Sequence, residues 1–165
     1  MSEFEARPNR ELLERLVTAL SIRTASVREG GGGRPALETC HYAAMLAGMD
    51  ADPWLQEVAT HLLLYGLLHE PYHRKPLARA LLTWMSNRIL ILHPDLQVSG
   101  SEVLQVISVG LDAYVAGGSV TIEDAGRAGI KRRRWERLRP VYSLMLERIN
   151  EAEDLLVRHL SRACT

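Results

Sequence analysis

Cysteine is scarce in this sequence: Cys40 and Cys164 are the only two among 165 residues, and they form no CxxC pair. That argues against a disulfide framework and a cysteine-based zinc cluster, and makes a reducing compartment the natural setting. Aromatic residues amount to 5%, with a single phenylalanine, so aliphatic side chains must fill most of any core. Neither sign of charge is in excess. The 20 Lys and Arg residues balance 20 Asp and Glu residues, and the whole-molecule field gives no pull toward nucleic acid or membrane. Any basic surface must therefore be local. Long hydrophobic runs are missing too: the stretch Trp54 to Leu68 is interrupted by Gln56, Glu57 and His61 and is too short to cross a bilayer. The opening MSEFEARPNRELLERL is charged and lacks an apolar segment with a cleavage site, so neither signal peptide nor anchor is expected. These absences point to the cytoplasm, with no membrane partner.

Period-two alternation is not sustained anywhere. Val98, Val103, Val106 and Val109 favour strands by propensity, but their spacing is helical, and no sheet is expected. The 47% hydrophobic residues suffice for a core, and their periodicity predicts an all-α protein, a compact helical domain. Asn9 is placed to cap a first helix, within residues 1–29, whose Leu12, Leu13, Leu16, Val17 and Leu20 recur at helical spacing. Gly30 to Gly33 make residues 30–35 a linker or loop that detaches this helix somewhat. The remainder, 36–165, reads as the main helical domain. A second helix is expected from Pro35 to Met49 and a third from Asp52-Pro53 to about His69. The third is apolar nearly all round and is expected at the centre, through Trp54, Val58, Leu62, Leu63 and Leu67. A fourth, Pro76 to Leu92, carries Leu77, Leu81, Trp84, Met85 and Ile89 on one stripe. A fifth, capped by Ser101 and running through Tyr114, turns Val103, Val106, Ile107 and Leu111 inward before Gly117-Gly118 stops it.

The most informative stretch is 121–139, which has the pattern of a DNA-binding helix-turn-helix. Thr121 can cap a short helix to Ala128. In such a unit a small residue lets the second helix cross the first, and a residue four later turns the chain with positive φ; Ala125 and Gly129 hold those positions. Ile130, Trp135 and Leu138 recur as apolar anchors for the second helix. Its outward face is basic. Arg132, Arg133 and Arg137 suit guanine O6 and N7, Lys131 and Arg134 suit phosphates, and Glu136 suits the amino group of cytosine. Thr121 and Arg127 complete the set expected at double-stranded DNA. The competing reading of the basic run is a solvated face with no ligand, and Trp135 is expected in the core rather than stacked on a base. Pro140 lacks an amide hydrogen, so the recognition helix is expected to end at Arg139 and a final helix to occupy 140–160. On it Val141, Met145, Ile149, Ala152, Leu156 and Leu160 form an apolar stripe, and Glu147, Arg148, Glu151, Glu153 and Asp154 flank it as a shoulder expected to be solvated, the alternative being an acidic face toward a protein partner.

The segments Val103-Leu104-Gln105-Val106 through Asp112, Ala113 and Tyr114, and Trp135 through Pro140, Val141 and Tyr142 to Glu151, Glu153 and Leu160, resemble the late-gene antitermination proteins of lambdoid phages, the Q proteins of the lambda type. Together these segments cover under half of the chain. The lambda type carries a cysteine-rich zinc-binding insertion where this chain has only Ala116-Gly117-Gly118-Ser119, so no zinc is implied. The resemblance implies a protein of the bacterial host cytoplasm that binds DNA beside a late promoter, engages a paused RNA polymerase holoenzyme and makes it resistant to terminators. Two other readings of the residues stand beside it. One is a dimeric helix-turn-helix repressor or activator with the final helix as its interface; the other is a helical protein-interaction module that binds no DNA. The oligomeric state is left open.

Enzymatic readings fare worse. His69-Glu70-Pro71-Tyr72-His73 matches the HExxH zinc-protease pattern, but Pro71 opposes a regular helix through both histidines. Cys40 and His41 are adjacent and point apart on a helix, which does not make a nucleophile and base. Gly30 to Gly33 lead into Arg34-Pro35 rather than a phosphate-binding helix. Neither catalysis, nor a cofactor, nor a metal is expected.

Overall fold

A computed structural model describes residues 8–27 and 46–163. The glycine-rich stretch, both cysteines and nearly all of the expected second helix lie outside the described residues. The described residues form helices and turns with no strand, and no helix among them is long and apolar enough to cross a membrane.

Helix α1 spans Pro8–Val27, beginning one residue before the expected cap Asn9. Leu13, Val17 and Leu20 are buried against the last helix, while Leu12 is exposed. The helix is fastened rather than detached: the Arg10 guanidinium donates to the Tyr114 and Val115 carbonyls and lies 4.6 Å over the Tyr114 ring. Asp52 caps α2, Pro53–His61, by accepting from the Leu55 amide at 3.0 Å, with Pro53 in the first turn where its missing N–H costs nothing. The chain then widens into a π-helical turn, Leu62–Leu67. Gly66 lies in it because a Cβ there would stand 2.7 Å from the ring of Tyr114. Trp54, expected at the centre, is 63% exposed; the buried face of this segment is Val58, Ala59 and Leu62 to Leu64. A single 3-10 turn, Pro71–His73, leads into α3, Arg74–Leu92, which buries Leu77, Leu81, Met85 and Ile89.

The cap of α4, Gly100–Val115, is Ser99 rather than Ser101, because Ser99 completes a reciprocal capping box with Glu102. Its expected inward residues are all buried. Helix α5, Ile122–Arg127, is followed by α6, Arg132–Ala163, an unbroken 32-residue helix. Pro140 therefore interrupts no element, and the expected boundary at Arg139 is absent. A proline inside a helix costs about 3 kcal/mol, which the burial of Trp135, Leu138 and Val141 around it offsets. Val141, Met145, Ile149, Ala152, Leu156 and Leu160 are all buried. The hub of the fold is thus α6, which packs on α1, α2, the π turn, α3, α4 and α5. Two residues of its expected solvated shoulder are interior: Arg148 is 5% exposed and Glu153, which accepts from the Tyr114 hydroxyl at 2.9 Å, is 1% exposed.

Candidate nucleic-acid interface

Between Thr121 and Arg139 seven basic side chains face three acidic ones, in a chain whose total charge is zero. The fold decides which of them reach solvent. Thr121 accepts from the Asp124 amide at 3.1 Å, and its own amide donates to the Asp124 carboxylate at 3.0 Å. That donation, with help from the Thr121 hydroxyl and nearby Arg127, holds the Asp124 carboxyl below the usual carboxylate range. The other end of α5 closes in a Schellman turn: the Gly129 amide donates to Gly126 and the Ile130 amide to Ala125, with Gly129 at φ +87°. Only glycine adopts that φ without strain. A six-residue helix that would be unstable alone is thereby fixed at both ends.

Tertiary contacts hold the same unit. Ala125, Ile130, Trp135 and Leu138 are all at most 3% exposed, and the Trp135 and Tyr142 rings meet at 5.5 Å. The Tyr142 hydroxyl accepts from the Val120 amide, and Gln105 of α4 donates to the Ala128 carbonyl at 3.0 Å. Gln105 braces the turn across 23 residues of chain, a role that no local pattern marks.

Opposite the buried stripe of Trp135, Leu138 and Val141, one face of α6 presents Arg132, Arg133, Glu136, Arg137 and Arg139 to solvent, with Lys131 just ahead of the helix. Arg139 is an exposed member of this face that the sequence pattern placed only as a helix end. Arg132 lies 3.5 Å from Glu136 one turn on, an exposed pair that a stronger anion can displace. Arg127 is 75% exposed but neighbours Glu123 and Asp124 at 3.8 and 3.7 Å, so its charge is partly neutralised. Arg134 departs from the role expected of it. It is half-buried, ion-paired with Glu102, and donates to the Gln97 carbonyl at 3.4 Å, so it fastens α6 to α4 instead of standing ready for a phosphate.

The HExxH histidines do not share a helix. His69 sits in the reversal after the π turn at φ +57° and His73 ends the 3-10 turn, with its Nδ1 3.0 Å from Nδ1 of His61. Among the described residues no group of three or more His, Cys, Asp or Glu side chains is arranged to hold a metal. No protein-family profile matches the chain, and neither a curated protein nor a solved structure matches it significantly.

Proposed function

We propose that this chain is a sequence-specific DNA-binding protein that acts in transcription antitermination in a bacterial host cytoplasm, with RNA polymerase holoenzyme as its second partner. The observation that carries the DNA-binding part is the exposed cationic face of Lys131, Arg132, Arg133 and Arg137 on a backbone braced by the α5 caps, Gln105 and Trp135. Its placement is electrostatically costly in the free protein. The first turn of α6 contains no acid, so the arginines add to the positive end of the helix dipole; a DNA phosphate there relieves that repulsion. In this reading Arg132, Arg133 and Arg137 address base edges, Lys131 a phosphate and Glu136 a cytosine, while Thr121 and Arg127 flank the duplex. Arg134 keeps the helix in position. The antitermination part rests on the resemblance of the α4 and α6 segments to the lambdoid Q proteins. A dimer built on the final helix is disfavoured, because the apolar stripe of that helix is already buried within the chain.

The test is terminator read-through by purified bacterial RNA polymerase on a late-promoter template. The protein should raise read-through, and the Arg132→Ala, Arg133→Ala, Arg137→Ala triple variant should not, although its stability should change by no more than about 0.5 kcal/mol because all three side chains are exposed. Arg133→Ala alone should relax discrimination at one base pair, whereas Lys131→Ala should weaken all sequences and lower the salt slope by about one. Specific DNA binding with unchanged read-through would support a repressor instead; no DNA binding would leave an interaction module.

A further inference from the structure

Among the described residues, two buried side-chain polar atoms have no hydrogen-bond partner, Arg88 Nε and Arg148 Nε. Both arginines lie over one aromatic ring: the Arg148 guanidinium carbon is 4.9 Å and that of Arg88 5.7 Å from the centre of Trp84. Arg148 also lines a cleft of about 420 Å³ between the start of α2, α3 and α6, walled by Trp54 and Trp84 and edged by Asp52, Thr83 and Asn87. A desolvated cation is costly unless paired and hydrogen-bonded. Here Arg148, 5% exposed, has Glu151 at 2.8 Å, and that carboxylate is itself 41% exposed. Cation–π contact with Trp84 supplies part of the deficit, but Arg148 Nε still has no acceptor.

We infer that this cleft is a binding site for a small planar monocarboxylate, its apolar body lying against Trp54 and Trp84 and its carboxylate meeting the guanidinium of Arg148. The class follows from the walls. A planar carboxylate matches the fork of a guanidinium, and with one cation, Arg148, and one carboxylate, Asp52, in the lining, a monoanion meets less repulsion there than a phosphate dianion would. Exposed Trp54 also finds a reason here, since an indole left in water at the mouth of a cleft is the surface a planar ligand covers. The volume lies within the usual range for small-molecule sites.

The chain has three tryptophans, and Trp135, buried in the core far along α6 from Arg148, serves as an internal control. The probe is trans-cinnamate titrated into the full chain while the indole N–H resonances are followed by NMR, with trans-cinnamamide as the uncharged counterpart. The expected result is a saturable shift of the Trp54 and Trp84 signals at up to ~mM acid, a still Trp135 signal, and binding at least about tenfold weaker for the amide and for Arg148→Met. Should Arg148→Met fail to fold, Trp54→Ala, an exposed position, should show the same loss. Absence of saturation, equal binding of acid and amide, or unchanged affinity in Trp54→Ala would overturn the assignment.

Discussion

Two chain reversals in this molecule use the same backbone device with different residues. After α5 the chain turns through Gly129 at φ +87°; after the π turn it turns through His69 at φ +57°. In both, a helix-end carbonyl accepts from an amide beyond the turn, Ala125 from Ile130 at 2.9 Å in the first and Leu64 from Glu70 at 2.9 Å in the second. The second ring is one residue wider, as a π-helical end requires. Glycine makes the first turn at little steric cost. Histidine is held in the second by its surroundings: the π turn before it, Pro71 after it, and Arg74, which donates to Asp112 at 2.8 Å, to Ser108 and to the Tyr65 hydroxyl. A left-handed glycine is a local choice, whereas a left-handed histidine shows that packing has overruled local preference.

Removing the anchor beneath the first turn should have the largest effect. Trp135→Ala should lower stability by about 3–5 kcal/mol in denaturant unfolding, since the ring is 1% exposed and leaves a cavity beside Tyr142. A smaller effect of opposite sign at the two turns would sharpen the contrast. Gly129→Ala should cost about 1–2 kcal/mol, all of it from φ, because the new Cβ would stand 3.9 Å from Gln105 Nε2, an ordinary contact. His69→Gly should instead stabilise by up to about 1 kcal/mol. If it destabilises, the histidine side chain contributes more to its turn than the strain removes.

The smallest expected effect is a pH dependence at the His69 turn. Burial pushes the His61 imidazole below its ordinary value of 6.5, His73 pushes it down further, and Glu57 opposes both. The two Nδ1 atoms stand 3.0 Å apart, so one donates and the other accepts, and a charged His61, a donor at both nitrogens, could no longer accept there. The fold therefore prefers neutral His61, so its contribution is whole above the unfolded value and declines as pH falls through 6.5 toward the lower folded value. Thermal unfolding of His61→Gln should lose less stability across that window than the unaltered chain; identical profiles would show that the pair carries no linkage.

The elements around the basic face were legible because their signals are local. Thr121, Ala125, Gly129, Ile130 and Trp135 each act within a few residues, through a cap, a close approach, a turn or an anchor. The unbroken passage of α6 through Pro140 was not legible, since the local rule against an interior proline is set aside by burial on both sides of it. Nor was the diversion of Arg134 to Glu102, which lies on another helix.

By itself the sequence determined helical content, most of the inward stripes and the chemistry of the 121–139 turn, all of which depend on spacing within a few residues along one chain segment. Tertiary structure alone decided that α6 rather than the third expected helix is the hub, that Trp54 faces solvent while Arg148 and Glu153 go inside, and that histidine turns the chain at position 69. Those outcomes depend on which face meets which neighbour across the fold, where the desolvation of a charge or the strain of a turn is balanced by groups distant in sequence.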